Sequence, residues 1–412
     1  MNRLFWRVFF PTSLLAVLVL SLSSCGGGGD VKIGVIVPWE GSNLANYGTQ
    51  MEAGIQLALS EVQKAMENGE LNNRYTVIFE NESEDVEQVK ASFENLLSKG
   101  VTAVIGAASS AATLELAPLA NENKVILLSP GSSSPEINTG QTDYVFRNHP
   151  SDTLEAQKLS NVIFQKCKIQ KCLMVRAKNA YSEGITYELL RFARQNSKEI
   201  PNEVVKFDGD PGNVEWATVA DRILEIKPEA VFLGAYNNEL IPLIKEIRSR
   251  PELADVYIFT SSSFSTEDAV KELGAEAVEG VIFTGYHWDP HENKPAIQNF
   301  TNQFESQFQQ PPTIYAATGY DALWILVEAY ESVKNTRIRD DVRAAVNNNV
   351  FGSASEDEDK KGHFVGLLGE TDFNKRGDVT RIPLVFKVSN GRKAELTAQE
   401  MEDIKRDILT RL

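Results

Sequence analysis

The chain has 412 residues and a formal net charge of −16, from 57 acidic and 41 basic side chains. That length is too great for one ordinary core and points to two domains, while the acid excess argues against a nucleic-acid or anionic-lipid surface. With 42% hydrophobic and 24% charged residues, the composition is that of a folded globular protein and not of a disordered one. At the start, Arg3 and Arg7 precede an apolar run, Leu14 to Leu22, which ends in Leu22-Ser23-Ser24-Cys25. A positive head, a short apolar core and small residues at its end mark a cleaved leader. Pro11, Thr12 and Ser13 keep the run below the ~20 apolar residues of a spanning helix. Residues 1–24 therefore read as a lipoprotein signal peptide. Cys25 becomes the lipidated first residue, and 25–30, with Gly26 to Gly29, a flexible tether. One acyl chain binds a membrane only reversibly, so stable anchoring needs the several chains of a bacterial lipoprotein cysteine.

Short apolar runs then alternate with longer helical patterns. A strand over 32–37 leads to a helix over 46–66, where Met51, Ile55, Ala58, Leu59 and Val62 recur at helical spacing. Strands over 75–79, 101–105 and 125–128 alternate with helices over 86–97 and 114–120. The pattern restarts with strands over 172–176, 203–207, 230–233 and 256–259 and helices over 181–195, 214–226 and 239–248. Such repeats predict the α/β class, with parallel sheets flanked by helices. A strand over 280–283 precedes three helices (295–308, 315–333, 338–346), and a last strand follows over 382–388, so the chain returns between its two units. The acidic run 353–361 reads as a solvated loop, since it lacks the ordered spacing and central glycine of a calcium loop. Met401, Ile404, Ile408 and Leu412 predict a C-terminal amphipathic helix.

Besides Cys25 the chain holds only Cys167 and Cys172. In an oxidising compartment a disulfide is preferred over free thiols or half a metal site, because no further cysteine or nearby histidine completes a metal shell. No metal or cofactor is expected. Of the four histidines, His287 and His291 have i, i+4 spacing, but Pro290 breaks the helix a zinc site would use. With no Gly-x-Ser-x-Gly elbow either, catalysis is not expected.

Ligands of open α/β sheets bind beyond the carboxyl ends of the strands. Two serine-rich loops stand there: Ile-Gly-Ala-Ala-Ser-Ser over 105–110 and Ser-Pro-Gly-Ser-Ser-Ser over 129–134. Their hydroxyls and backbone N–H groups suit a carboxylate, the first loop at a helix N-terminus. The plainer reading is that serines cap helices and turns.

The segments "KIGVIVPWEGSNLANYGTQMEAGIQLAL", "VTAVIGAASSAATLELAPLANENKVILLSPGSSSPEI" and "YVFRNHPSD" resemble the amino-terminal lobe of the type I periplasmic binding proteins. Among these the chain is most similar to the leucine/isoleucine/valine-binding branch of ABC-importer receptors. The similarity continues through "NAYSEGI", "VFLGAYNNEL", "AVEGVIFTGYHW", "TGYDALW" and "TDFNKRGDV". It implies two Rossmann-like lobes, 31–148 plus 287–366 and 149–286 plus 367–398, with 399–412 as a terminal helix. A three-strand hinge joins the lobes, and solute binds in the cleft. The matching residues are Ser110, Gly131 and Ser133 for the ligand's carboxylate and amino group, Tyr47 covering it, and Tyr181 and Tyr236 closing from the second lobe. Trp39 and Glu40 replace small residues in the first loop and are expected at the cleft.

One departure concerns the ligand. Amino-acid binders of this family usually offer a carboxylate where this chain has Ser262. A buried ammonium without a counter-charge costs several kcal/mol. Either another acid serves, Glu40 and Asp321 being the candidates, or the ligand is an amide, a urea-like solute or an amine-free carboxylate. The resemblance further implies a monomeric, lipid-anchored receptor outside the membrane that delivers a small solute to an ABC permease. The other reading is a sensory ectodomain that signals through a separate membrane partner.

Overall fold

The computed structural model describes residues 29–39, 42, 44–138, 144–196, 204–348 and 364–411. Cys25 with its leader, Glu40, His363 and the acidic run 353–361 lie outside them.

The first half alternates β1 (Asp30–Val37), α1 (Ala45–Asn68), β2 (Arg74–Asn81), α2 (Val86–Ser98), β3 (Ala103–Gly106), α3 (Ser110–Asn123), β4 (Ile126–Ser129) and β5 (Val145–Arg147). The strands form one sheet in the order β2-β1-β3-β4-β5, all parallel. The second half runs α4 (Asp152–Ser160), β6 (Cys172–Ala177), α5 (Ala180–Asn196), β7 (Val204–Phe207), α6 (Trp216–Ile226), β8 (Ala230–Gly234), α7 (Asn237–Arg248), β9 (Tyr257–Thr260), α8 (Thr266–Leu273), α9 (Ala275–Val278) and β10 (Ile282–Gly285). Then follow α10 (Pro295–Phe308), α11 (Ile314–Ser332), α12 (Arg339–Asn347), a hairpin of β11 (Phe364–Gly366) and β12 (Gly369–Thr371), β13 (Leu384–Ser389), β14 (Arg392–Glu395) and α13 (Ala398–Arg411). The second sheet has the order β14-β13-β10-β9-β8-β6-β7, in which β13 alone runs antiparallel to its neighbours β10 and β14.

Both sheets are covered on both faces, which is why their central strands are continuous apolar runs. On the first, α1, α11 and α12 pack against one face and α2 and α3 against the other. On the second, α6, α7 and α8 cover one face and α4, α5 and α13 the other. The chain passes between the two lobes three times: after β5, after β10 and between β12 and β13. The expected two-lobed α/β architecture is the one found.

Helices α1 and α11 touch backbone to backbone. A Cβ added at Gly54 would stand 2.0 Å from the Ala316 carbonyl oxygen. Gly54→Ala should therefore force the helices apart and destabilise the chain by about 1–3 kcal/mol, the usual cost of overpacking. A urea titration of the variant reads it directly.

The structure corrects the expected disulfide: Cys167 and Cys172 are free thiols, both buried. Each packs in the apolar cluster beneath α4, α5 and α13, where burial raises both thiols, Cys167 to about 12. They act there as small hydrophobic side chains.

Candidate functional site

In the first sheet the strand order reverses between β1 and β3; in the second, between β6 and β8. Crevices at such switch points are where open α/β sheets bind ligands. Here the two crevices face each other. A cavity of about 240 Å³ between the lobes is lined by Pro38, Ser42, Leu44, Glu82 and Ser109 from the first and by Asn179, Tyr181, Gly209, Tyr236 and Glu239 from the second.

Three of the expected aromatic residues meet beside it. Tyr181 stacks on Tyr236 with ring centroids 4.8 Å apart, and Tyr47 stands 5.8 Å from Tyr236. The Tyr47 hydroxyl reaches across the cleft: it donates to the Ser263 carbonyl at 3.0 Å and accepts the Asn237 N–H at 2.9 Å. Tyr315, which the sequence reading missed, packs edge-on against Tyr47 at 4.9 Å. It sits in the first turn of α11, inside an apolar pattern that reads as core.

The serine loops converge but are wired differently from expectation. The Ser110 hydroxyl accepts the N–H groups of Ser133 and Ser134, at 3.3 and 3.1 Å. With its lone pairs so engaged, its proton is left to donate. Gly131 lets the loops meet, since a Cβ there would stand 2.5 Å from the Met51 methyl and 2.8 Å from the Ala108 carbonyl oxygen. The N–H groups of Ala108 and Ser109, read from sequence as ready for a ligand anion, are taken by the chain's own Glu82 at 2.6 and 2.9 Å. Burial nevertheless holds Glu82 up at about 7. Across the cavity, burial raises Glu239 to about 8. One Glu239 oxygen accepts the Tyr236 N–H at 2.8 Å; the other has no hydrogen-bond partner among the described residues.

Of the expected site residues, Tyr181 and Tyr236 line this cavity, Tyr47, Ser110, Gly131, Ser133 and Ser262 do not, and Trp39 and Asp321 sit elsewhere. Trp39 is 41% exposed, gives its N–H to Asn81 and is not part of the cavity lining. Asp321 is fully buried and accepts the N–H groups of Leu367 and Leu368 at 2.9 and 3.2 Å, bracing the β11–β12 turn against α11.

Ser262 has found an acid of its own. Its N–H and hydroxyl donate to Glu155 at 3.1 and 2.6 Å, and the Thr284 hydroxyl adds a third bond at 2.8 Å. Asp152 lies one helical turn earlier, with its N–H on the Ser133 carbonyl at 2.9 Å. Burial and the adjacent Glu155 carboxylate push Asp152 well above the usual carboxylate range. Sequence reasoning missed both, because acids in a helix's first turn read as ordinary partners of the helix dipole.

Residues 30–366 match the family model described as "Periplasmic binding protein". The chain is 23% identical over 370 residues to the Leu/Ile/Val-binding protein of Citrobacter freundii, covering 89% of this chain and 97% of that one. It is 23% identical over 372 residues to the Leu/Ile/Val/Thr-binding protein of Salmonella typhimurium, covering 90% and 98%. Its fold superposes on the isoleucine complex of a Streptococcus pneumoniae branched-chain amino acid transporter substrate binding protein with a TM-score of 0.73 and 22% identity, covering 88% of this chain and 97% of the other. A benzoate-bound solute binding protein of an ABC transporter from R. palustris gives 0.74 at 16% identity, covering 89% and 96%. With the two-lobed fold, the facing crevices and a family match over most of its length, the chain belongs to the periplasmic binding proteins.

Proposed function

We propose that this protein is an extracytoplasmic solute receptor of an ABC importer, tethered through Cys25, that closes its lobes over a small polar solute. The lobes are 31–148 plus 287–366 and 149–286 plus 367–398, with 399–412 as an added helix. The carrying observation is the pair of facing crevices with Tyr47 hydrogen-bonded from one lobe to the loops of the other. Desolvation by closure strengthens every polar contact inside the cleft, and a hinge of three chain segments permits it. The relatives named above support an amino acid, branched-chain or related, as the solute; amides and urea-like compounds share the same polar groups.

Ser110 and Ser133 hold the solute from the first lobe. Ser110→Ala is expected to weaken binding by about 1–3 kcal/mol, the worth of a hydrogen bond to a charged group. It should also lower the melting temperature, because two buried N–H groups lose their acceptor. Ser133→Ala should weaken binding with a smaller thermal effect. A thermal-shift screen with amino acids, amides and ureas finds the solute by mass action, and calorimetry on both variants then tests the assignment. Unchanged affinity in both would sink it.

A further inference from the structure

Of the residues proposed to hold the solute, only Tyr181 and Tyr236 border the cavity between the lobes. Its lining carries three acids, Glu82, Glu84 and Glu239, and no lysine, arginine or histidine. Glu84 takes the Ser42 hydroxyl at 3.3 Å, and Glu82 takes the Ala108 and Ser109 N–H groups. Glu239 is held differently. It is 1% exposed, and one of its oxygens is engaged by the Tyr236 N–H. The other, Oε1, has no hydrogen-bond partner among the described residues, and neither has the amide oxygen of Asn238, also in the lining. Oε1 lies 3.9 Å from where a Cβ would stand on Gly209, a further lining residue, so it borders the open space. Acceptors left unpaired against a cavity cost free energy that an entering donor recovers.

The walls say what that donor is. Among the described residues no group of three His, Cys, Asp or Glu side chains could hold a metal ion. The remaining surface is aliphatic and aromatic, with Pro38, Leu44, Val86 and Val89 on the first lobe and Tyr236, stacked on Tyr181, on the second. The charges of Glu82 and Glu239 both act on the Tyr236 hydroxyl, so one ring stands within reach of both acids. Carboxylates beside an aromatic ring and apolar walls suit an organic cation, whose N–H groups meet the acids while its carbon skeleton packs on the rest. A space of about 240 Å³ admits an alkylammonium or guanidinium group.

We propose that this cavity is a second binding site, which takes a small organic cation of the alkylammonium or guanidinium class between Glu239 and Asn238 on one lobe and Glu82 on the other. The inference goes beyond the solute-receptor reading, because the occupant is distinct from the solute. A cation seated there touches both lobes, so it favours the closed form by mass action and acts as an effector of closure.

The test is calorimetry of the full chain, without solute, using methylguanidinium as the probe and N-methylurea as its neutral isostere. Methylguanidinium should bind at one site per chain, and N-methylurea at least about 10-fold more weakly, since only the cation makes charge-assisted hydrogen bonds. Glu239→Gln should weaken methylguanidinium binding by about 10- to 100-fold, and Asn238→Leu by about 3- to 10-fold. The titratable groups that face Glu239 are Asp208, Glu82 and the hydroxyls of Tyr181 and Tyr236, none of them positive. Burial raises Glu239 to about 8, so it sheds a proton to meet the cation. Methylguanidinium affinity should therefore rise at least about 10-fold from about pH 6.5 to about pH 8.5, and the heat of binding should vary with the ionisation enthalpy of the buffer. Equal binding of the two probes, undiminished binding by Glu239→Gln, or no saturation below about 50 mM methylguanidinium overturns the site. Should Glu239→Gln not fold, the comparison of the two probes on the native chain still decides. None of these outcomes touches the solute-receptor reading, which its own ligand screen tests.

Discussion

Arg147→Met is expected to lower the stability of the chain by about 3–5 kcal/mol, the cost of breaking a buried ion pair from one side. Arg147 ends β5 at the first passage between the lobes and is 1% exposed. Its Nε donates to Asp378 at 2.5 Å and its Nη1 to the Ser134 carbonyl at 2.8 Å. Its backbone N–H also reaches the Gly377 carbonyl at 2.9 Å. Asp378 belongs to the third passage, and Ser134 to the serine loop. One side chain therefore ties two of the three passages between the lobes to the serine loop. Methionine matches much of its apolar stem but leaves the Asp378 carboxylate without its guanidinium. Arg147→Met combined with Asp378→Leu should recover part of the loss, since neither charge then needs desolvating. Urea titrations of native, single and double variants measure both effects. A single variant within about 1 kcal/mol of the native chain would falsify the hinge-clamp account.

The two sheets were legible because each central strand is a buried apolar run followed by a helix of period 3.6. Of the strands that escaped, β5, β11 and β12 are three residues long, and the four of β14, Arg392–Glu395, are all exposed and carry no apolar run. Their existence depends on partners elsewhere: β5 on β4, and β14 on β13. At the strand ends, residue types pointed to the two serine loops, while the hydrogen bonds that join them were hidden. Glu82 lies 26 residues from the Ala108 N–H that it caps, and Glu155 lies 107 residues from Ser262. Nothing local distinguishes Glu155 from an exposed helical acid; only the ends of β9 and β10 folding over it make it a buried one. Asp321 failed as a cleft acid for the converse reason. It is buried, but against the turn of a hairpin that the sequence did not announce.

Between pH 6 and pH 9 the chain should lose stability on the order of 3 kcal/mol, most of it through Glu239 and Glu82. Burial is the leading cause of both shifts, and Asp208 adds to that of Glu239. Their pKa values in the folded chain, about 8 and about 7, stand above the ordinary 4.5. The folded state thus binds protons that the unfolded state releases. The stabilisation is complete below about 4.5 and disappears as pH rises through the folded values. His149 works the other way, because burial lowers it to about 4 from 6.5. It costs stability only as pH falls below its ordinary value, which offsets about 1 kcal/mol at pH 6. Glu400, held down at about 2 chiefly by Lys387, has finished titrating before this window opens. Glu239→Gln isolates the main contributor: its amide oxygen keeps the bond from the Tyr236 N–H, and no proton is exchanged. The variant should lose less than half as much stability as the native chain over the same interval. Urea midpoints at pH 6, 7.5 and 9 decide the matter, and an equal slope in both proteins would remove Glu239 from the account. Glu82 and Glu239 line one cavity from opposite lobes. Opening the cleft would return both to water and release their protons, so solute affinity should weaken over the same pH interval as stability.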